Sequence, residues 1–291
     1  MLAEMASLGF EHVELSHGIR ITLVPGILRA VEAGVVQISS THNFCPLPTG
    51  VSRAAPNFYE PSSRDDQERD QWLRHTKRSI DFAVQVRARV VVCHLGSVRF
   101  PWLNPTRKVY GYLEAHAGDS TASAQPHYRA LLEKCLGKLR KRMPPYWARV
   151  RTGVDQALEY ARQKGVRLAF ENRERLEELP LDADCVEFFS GLPPDAPAGY
   201  WHDAGHAEIK ERIGVLDHQS HLESLAARVL GFHLHDVDES GRDHRPIGSG
   251  RVDFAMLSRF WRPEHLLTIE LGPRTTADEV VASRQCIATL L

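Results

Sequence analysis

Along this chain, short bursts of alternating apolar and polar residues are separated by longer stretches with helical spacing. The burst at Leu230 to Leu234 shows the pattern best. Leu230, Phe232 and Leu234 fall on one strand face, while Gly231, His233 and His235 fall on the other. HVELS places Val13 and Leu15 opposite His12 and Glu14. VVQISSTHNFCP (35–46), ARVVVCHLGS (88–97), RLAFEN (167–172), GYWHD (199–203) and LLTIEL (266–271) complete a set of seven expected strands. Helical spacing is expected at the N-terminus up to Leu8, over 21–33, and in a long helix capped by Ser62 or Ser63. Asp65 and Asp66 lie in that helix's first turn, where carboxylates suit the helix dipole. Two further helices meet at Pro144–Pro145, and shorter ones are expected over 181–189, 215–227, 254–260 and 276–290.

One-for-one alternation of strands and helices implies parallel strands joined by right-handed crossovers. A closed barrel of this kind has eight such units. The expected fold is therefore a (β/α)8 TIM barrel whose first strand is missing or atypical, with residues 1–291 as a single domain. The segment 98–128 is rich in Gly, Ser and Pro and poorly periodic, so it reads as an insertion over one end of the fold and a candidate lid.

Composition narrows the function classes. Lys+Arg 36 against Asp+Glu 37 gives a net charge of -1, without the basic excess of most nucleic-acid-binding domains. No uncharged apolar run approaches ~20 residues, so no membrane span is expected, and no signal peptide is evident. The five cysteines, Cys45, Cys93, Cys135, Cys185 and Cys286, are scattered without a CxxC. They read as reduced thiols of a cytoplasmic protein, with Cys45 and Cys93 as small core residues. Glu14 and His17 read as structural. Lys138, Arg140, Lys141 and Arg142 read as a solvated helix face.

The chemistry gathers at strand ends. Glu171, Asp203, His233 and Glu270 each follow an apolar run, and in most cases strand parity turns the polar residue away from the bulkier aliphatic face, although Asp203 shares its face with Trp201. The C-terminal ends of barrel strands are where such folds build their sites. Three carboxylates and one imidazole converging on a point repel one another unless a cation neutralises them, so a divalent metal is expected. His42, His94, His206, His235, Asp243 and His244 are further candidates for substrate or second-metal contacts. Each also has a plainer reading: Asp203 as an N-cap, His42 and His94 as hydrogen-bonded mouth residues, Asp243 and His244 as loop pins.

Taken together, HDAGH, HLHD with the later DHRPIGSG, and the strand-end glutamates resemble the xylose isomerase-like TIM-barrel superfamily over nearly the whole chain. That superfamily includes sugar phosphate isomerases and epimerases and endonuclease IV. The resemblance implies Glu171, Asp203, His233 and Glu270 as shared metal ligands, with His206 binding substrate or a further metal. It also places His42, His94 and His244 where the endonuclease branch holds additional zinc. Arg242 stands where that branch has an aspartate, although Asp243 is adjacent. The expected activity is that of a metal-dependent sugar or sugar phosphate isomerase or epimerase. In it, Glu171 and Glu270 exchange a proton through a metal-stabilised enediolate, and His206 and His235 hold hydroxyls. The mixed oxygen and nitrogen ligand set suits Mn, Co, Mg or Zn. An endonuclease IV-like zinc phosphodiesterase and a non-catalytic metal-binding barrel are the alternatives. A small-molecule sugar is the expected partner, with no nucleic acid or membrane; assembly as a homo-oligomer is left open.

Overall fold

The computed structural model describes residues 1–119 and 121–291. Its elements in chain order are α1 (Leu2–Ser7), β1 (His12–Leu15), α2 (Val24–Glu32), β2 (Gln37–His42), α3 (Asp66–Gln85), β3 (Val90–Cys93), α4 (Thr106–Ala115), α5 (Pro126–Arg142), α6 (Pro144–Lys164), β4 (Arg167–Glu171), α7 (Cys185–Ser190), β5 (Ala198–Asp203), α8 (Ala204–Ile213), α9 (His218–Leu225), β6 (Val229–Leu234), α10 (Phe254–Ser258), β7 (Leu266–Ile269) and α11 (Ala277–Ala288). The strands follow one another in chain order, β1 to β7, in one sheet. Consecutive parallel strands with helical crossovers are the topology of a (β/α) barrel, as the alternation predicts. Among the described residues no strand precedes β1. None of their helices is long and apolar enough to cross a membrane.

The chain divides into two compact units. The first comprises residues 1–96, 149–171 and 189–201. It holds β1 to β4 and the start of β5, all paired parallel, with Glu171 in register with Trp201. Val90, Val91, Val92 and Cys93 are all buried, so β3 reads as a continuous apolar run because both its faces are covered. Helix α3 is capped by Asp65, whose carboxylate accepts from Gln67 N at 2.9 Å, and not by Ser62 or Ser63 as expected; Ser63 Oγ instead donates to Glu68 Oε2. The helix supplies Thr76 Oγ1 to Asn43 Nδ2 and Ser79 Oγ to Cys45 N, pinning the loop after β2. Buried Trp72 of α3 lies against Gly153 of α6, where a Cβ would sit 3.2 Å from its ring.

The second unit comprises residues 97–148, 172–188 and 202–291, with β6 and β7 paired parallel. Tyr128 of α5, fully buried, donates to Ile213 O at the end of α8. Asp236, just past β6, accepts from the amides of Val237, Gly248, Gly250 and Val252 at 2.8–3.0 Å and so folds the loop over 236–252 onto itself.

Two regions differ from the sequence reading. The 98–128 segment, of which residue 120 lies outside the described residues, is not irregular throughout: it contains α4. Tyr110 of that helix accepts from Leu176 N, and Asn104, just before the helix, accepts from Thr106 N. Gly111 and flanking polar residues interrupt the apolar spacing there. Helix α8 follows β5 directly where no helix was expected. Its buried positions include Glu208 and Lys210 as well as Ala204, Ala207 and Ile213, so it has no clean apolar stripe to read.

Candidate metal centre

In the first unit, three strand ends bring His42, His94 and Glu171 together. His42 ends β2, His94 follows β3, and Glu171 ends β4; all three are buried. Glu171 Oε2 lies 2.7 Å from His94 Nε2 and 3.5 Å from His42 Nε2. The opposite nitrogens are occupied. His42 Nδ1–H donates to Asn43 O at 2.9 Å, and His94 Nδ1–H donates to Asn57 Oδ1 at 2.8 Å. With Nδ1 of each ring committed to these bonds, both Nε2 atoms face the same carboxylate oxygen. The donor atoms of the three residues lie within 4.8 Å of one another, a set that could hold a cation, and one outward Nδ1–H bond per ring is how protein imidazoles are oriented toward a metal. His17 extends the row, its ring centroid 4.7 Å from that of His42.

In the second unit, the ends of β5 and β6 and the segments that follow β5, β6 and β7 bring Asp203, His206, His233, His235, Asp243, His244 and Glu270 together. Asp203 is fully buried and is the N-cap of α8, accepting from His206 N at 2.7 Å. The capping reading therefore holds, and it leaves the second carboxylate oxygen facing the neighbouring histidines. Asn172 clamps the Asp203 backbone, accepting from its N–H at 2.7 Å and donating to its carbonyl at 2.9 Å. The Asp203 carboxylate lies 3.0 Å from His235 Nε2, 3.5 Å from His206 Nδ1 and 3.7 Å from His233 Nδ1. Burial opposes its charge, yet His206 and His235 hold the carboxyl well below the usual range. The ligand atoms of Asp203, His233 and Glu270 lie within 4.8 Å of one another, a set of oxygen and nitrogen donors that fits one divalent cation. His233 Nδ1 is 3.1 Å from Glu270 Oε2. Glu270 keeps 25% of its side chain exposed, whereas Asp203 and His233 keep none.

The remaining histidines take distinct parts. His206 Nδ1–H donates to Asn172 O at 3.0 Å, and its Nε2 lies 3.9 Å from Asp243 Oδ2. Glu174, His206 and Asp243 form a further set with donor atoms within 4.8 Å. His235 Nδ1 accepts from His244 N at 2.9 Å, so its own proton sits on Nε2 and points at Asp203. Both nitrogens of His235 are thus spent on the site's framework. His244 stacks on His235 at 4.2 Å in a positive-φ loop position. Burial disfavours its charge, but Asp243 and Glu270 outweigh this and raise its pKa to about 11, an imidazolium at neutral pH.

A model of the xylose isomerase-like TIM barrel matches residues 2–262. The chain belongs to that family. Among solved structures, the xylose isomerase-like barrel seen here is similar to a D-tagatose 3-epimerase-like protein, with TM-score 0.69 and 15% identity over 99% of this chain and 90% of that one. It is also similar to a putative xylose isomerase from Rhodospirillum rubrum, with TM-score 0.69 and 16% identity over 99% and 91%. D-psicose 3-epimerase from Clostridium cellulolyticum follows with TM-score 0.66 and 11% identity over 100% and 92%. At these identities the likeness concerns the fold. A sequence search found no match among curated proteins.

Sequence reasoning missed Asn172, Asn57 and Asp236. Asn172 adjoins Glu171 in FEN, and Asp236 closes HLHD, so position beside a candidate ligand was the available signal.

Proposed function

We propose that this protein is a metal-dependent isomerase or epimerase of a sugar or sugar phosphate. The observation that carries this reading is the buried Asp203–His233 pair joined to the partly exposed Glu270. It supplies two firm ligands and one carboxylate that substrate can reach. The titles of the neighbouring 3-epimerases support it. Asp203, His233, Glu270 and, by the family resemblance, Glu171 would hold the divalent cation, which when bound polarises a substrate carbonyl as a Lewis acid.

The chain's own residues do the proton work. Glu270 and Glu171 are the candidate bases: one removes a proton from the carbon beside the carbonyl, and the other returns it. Return from the opposite side inverts that carbon. Nε2 of His206 can accept a substrate hydroxyl proton, and the charged His244 beside Glu270 offsets negative charge that develops there. His235 works through Asp203, fixing its orientation with Nε2–H.

Exchange of deuterium from D₂O into a panel of ketoses and ketose phosphates tests this. Incorporation at a single carbon, abolished in Glu270→Gln, is expected; a metal-loaded protein that exchanges no member of the panel rules the reading out.

A second reading has its own observation. His42 and His94 both aim Nε2 at Glu171, which one-metal sugar chemistry does not require. An endonuclease IV-like phosphodiesterase, with several zinc ions around a phosphate, would use them. The net charge of -1 weighs against a nucleic-acid substrate. Elemental analysis of the His94→Ala protein separates the two: a lower zinc content than the wild type favours the phosphodiesterase, and an unchanged content favours the isomerase.

A further inference from the structure

Helix α8 carries Asp203 and His206 at its start, but its later residues face a different environment. Glu208 is a charged side chain only 7% exposed, and no hydrogen bond or ion pair within the second unit is made by its carboxylate among the described residues. Burial to this degree without a protein donor disfavours the charged form, and the carboxylate opens on a cavity instead of a partner. Glu208 and Glu211 both line a cavity of about 610 Å³ bounded by α4, α8 and the loop over 239–241. Glu114, Asp119 and Glu239 line it too. The two arginines of its wall, Arg212 and Arg251, are already engaged: Arg212 donates to Asp238 O and Glu239 O, and Arg251 to Glu239 Oε2.

Beneath the carboxylates lies His218, 2% exposed, at the start of α9. Its backbone N–H donates to Glu211 Oε1 at 3.1 Å, and its Nε2 lies 2.9 Å from Nε2 of the fully buried His202. One proton is shared by that pair. Donation from His218 to His202 leaves Nδ1 of His218 with a lone pair, the orientation device used for metal-bound imidazoles. Glu208, Glu211 and His218 each offer one donor atom, and these atoms lie within 4.8 Å of one another.

We propose that Glu208, Glu211 and His218 form a second divalent-cation site, separate from the strand-end ligands and reached through this cavity. Two carboxylates and one imidazole suit zinc, with water from the cavity completing the coordination. The ion would supply Glu208 with the partner the protein does not. Because Glu211 sits on α8 and His218 on α9, the ion would also tie the turn between those helices.

Titration of the metal-free protein with ZnCl₂ by calorimetry tests this on three proteins: the wild type, Glu208→Gln and Glu211→Gln. Glutamine preserves side-chain shape, and position 211 is exposed, so Glu211→Gln remains informative if Glu208→Gln folds poorly. We expect each folded variant to lose one zinc-binding event, or to show that event weakened tenfold or more, with the remaining events unchanged. Titrations that match the wild type in every event overturn the proposal. So does a loss confined to the events that Asp203→Asn also removes, since the variants would then be acting on the strand-end site.

Discussion

Gly205 sits in the first turn of α8, beside Asp203, and a methyl group there has nowhere to go. A Cβ would overlap Cε1 of His235 and lie 2.5 Å from its Nδ1. His235 cannot retreat freely: it is fully buried, its Nδ1 accepts from His244 N, and its Nε2–H serves Asp203. Gly205→Ala therefore forces the ring off the carboxylate. Overpacking costs about 1–3 kcal/mol and the strained bond to a charged group about 1.5–3, offset by about 1 from the better helix former. The net loss is about 1.5–5 kcal/mol, read from urea unfolding. Metal affinity should fall about 10–100-fold, because Asp203 loses the ring that orients it. Gly137→Ala is the control. Gly137 lies in α5 with open space around its missing Cβ, so the same substitution should stabilise by up to about 1 kcal/mol. A Gly205→Ala protein that unfolds and binds metal like the wild type would refute the reasoning.

Other perturbations test other parts of the account. Glu270→Gln should leave the fold intact and lower proton exchange by about 10²–10⁴-fold, measured by deuterium incorporation under single-turnover conditions. Asp236→Ala strips an acceptor from four backbone amides and should destabilise by about 3–5 kcal/mol in urea, with Asp236→Asn in between. Burial, then the neighbouring Glu211, raise the Glu208 pKa from 4.5 to about 7. The folded protein then holds this proton more tightly than the unfolded chain. The stability that results is complete below pH 4.5 and is lost as pH rises to about 7. In the presence of EDTA, wild-type stability relative to Glu208→Gln should fall by up to about 3 kcal/mol across that window. A flat difference between the two proteins across the window removes this assignment.

The strands were legible because burial on both faces writes itself as an apolar run, as in Val90 to Val92, and because parity singles out Glu171 and His233 as the polar exceptions. Helix α8 was not, since Glu208 and Lys210 occupy buried positions that a reader of periodicity assigns to solvent; Lys210 is paired there with Asp182 at 2.8 Å. The candidate ligands were legible as residue types at strand ends. Their orientation was not. The groups that fix the rings of His42 and His206 are backbone carbonyls, which every residue carries and no sequence pattern marks. Asn172 was hidden for a similar reason: its clamp on the Asp203 backbone joins segments about thirty residues apart and depends on the side-by-side placement of β4 and β5. The division of labour between His233 and His235 also required coordinates, since both lie on one strand face, and the amide of His244 on His235 and the Glu270 carboxylate beside His233 tell them apart.

The central claim is that Asp203, His233 and Glu270 hold a divalent cation. An anomalous-difference map from metal-soaked crystals, recorded at the absorption edge of the added metal, tests it most directly. The account predicts a peak with ligand distances of about 2.0–2.2 Å to a carboxylate oxygen of Asp203, an imidazole nitrogen of His233 and a carboxylate oxygen of Glu270. A fully loaded crystal with no density among these three side chains would contradict it.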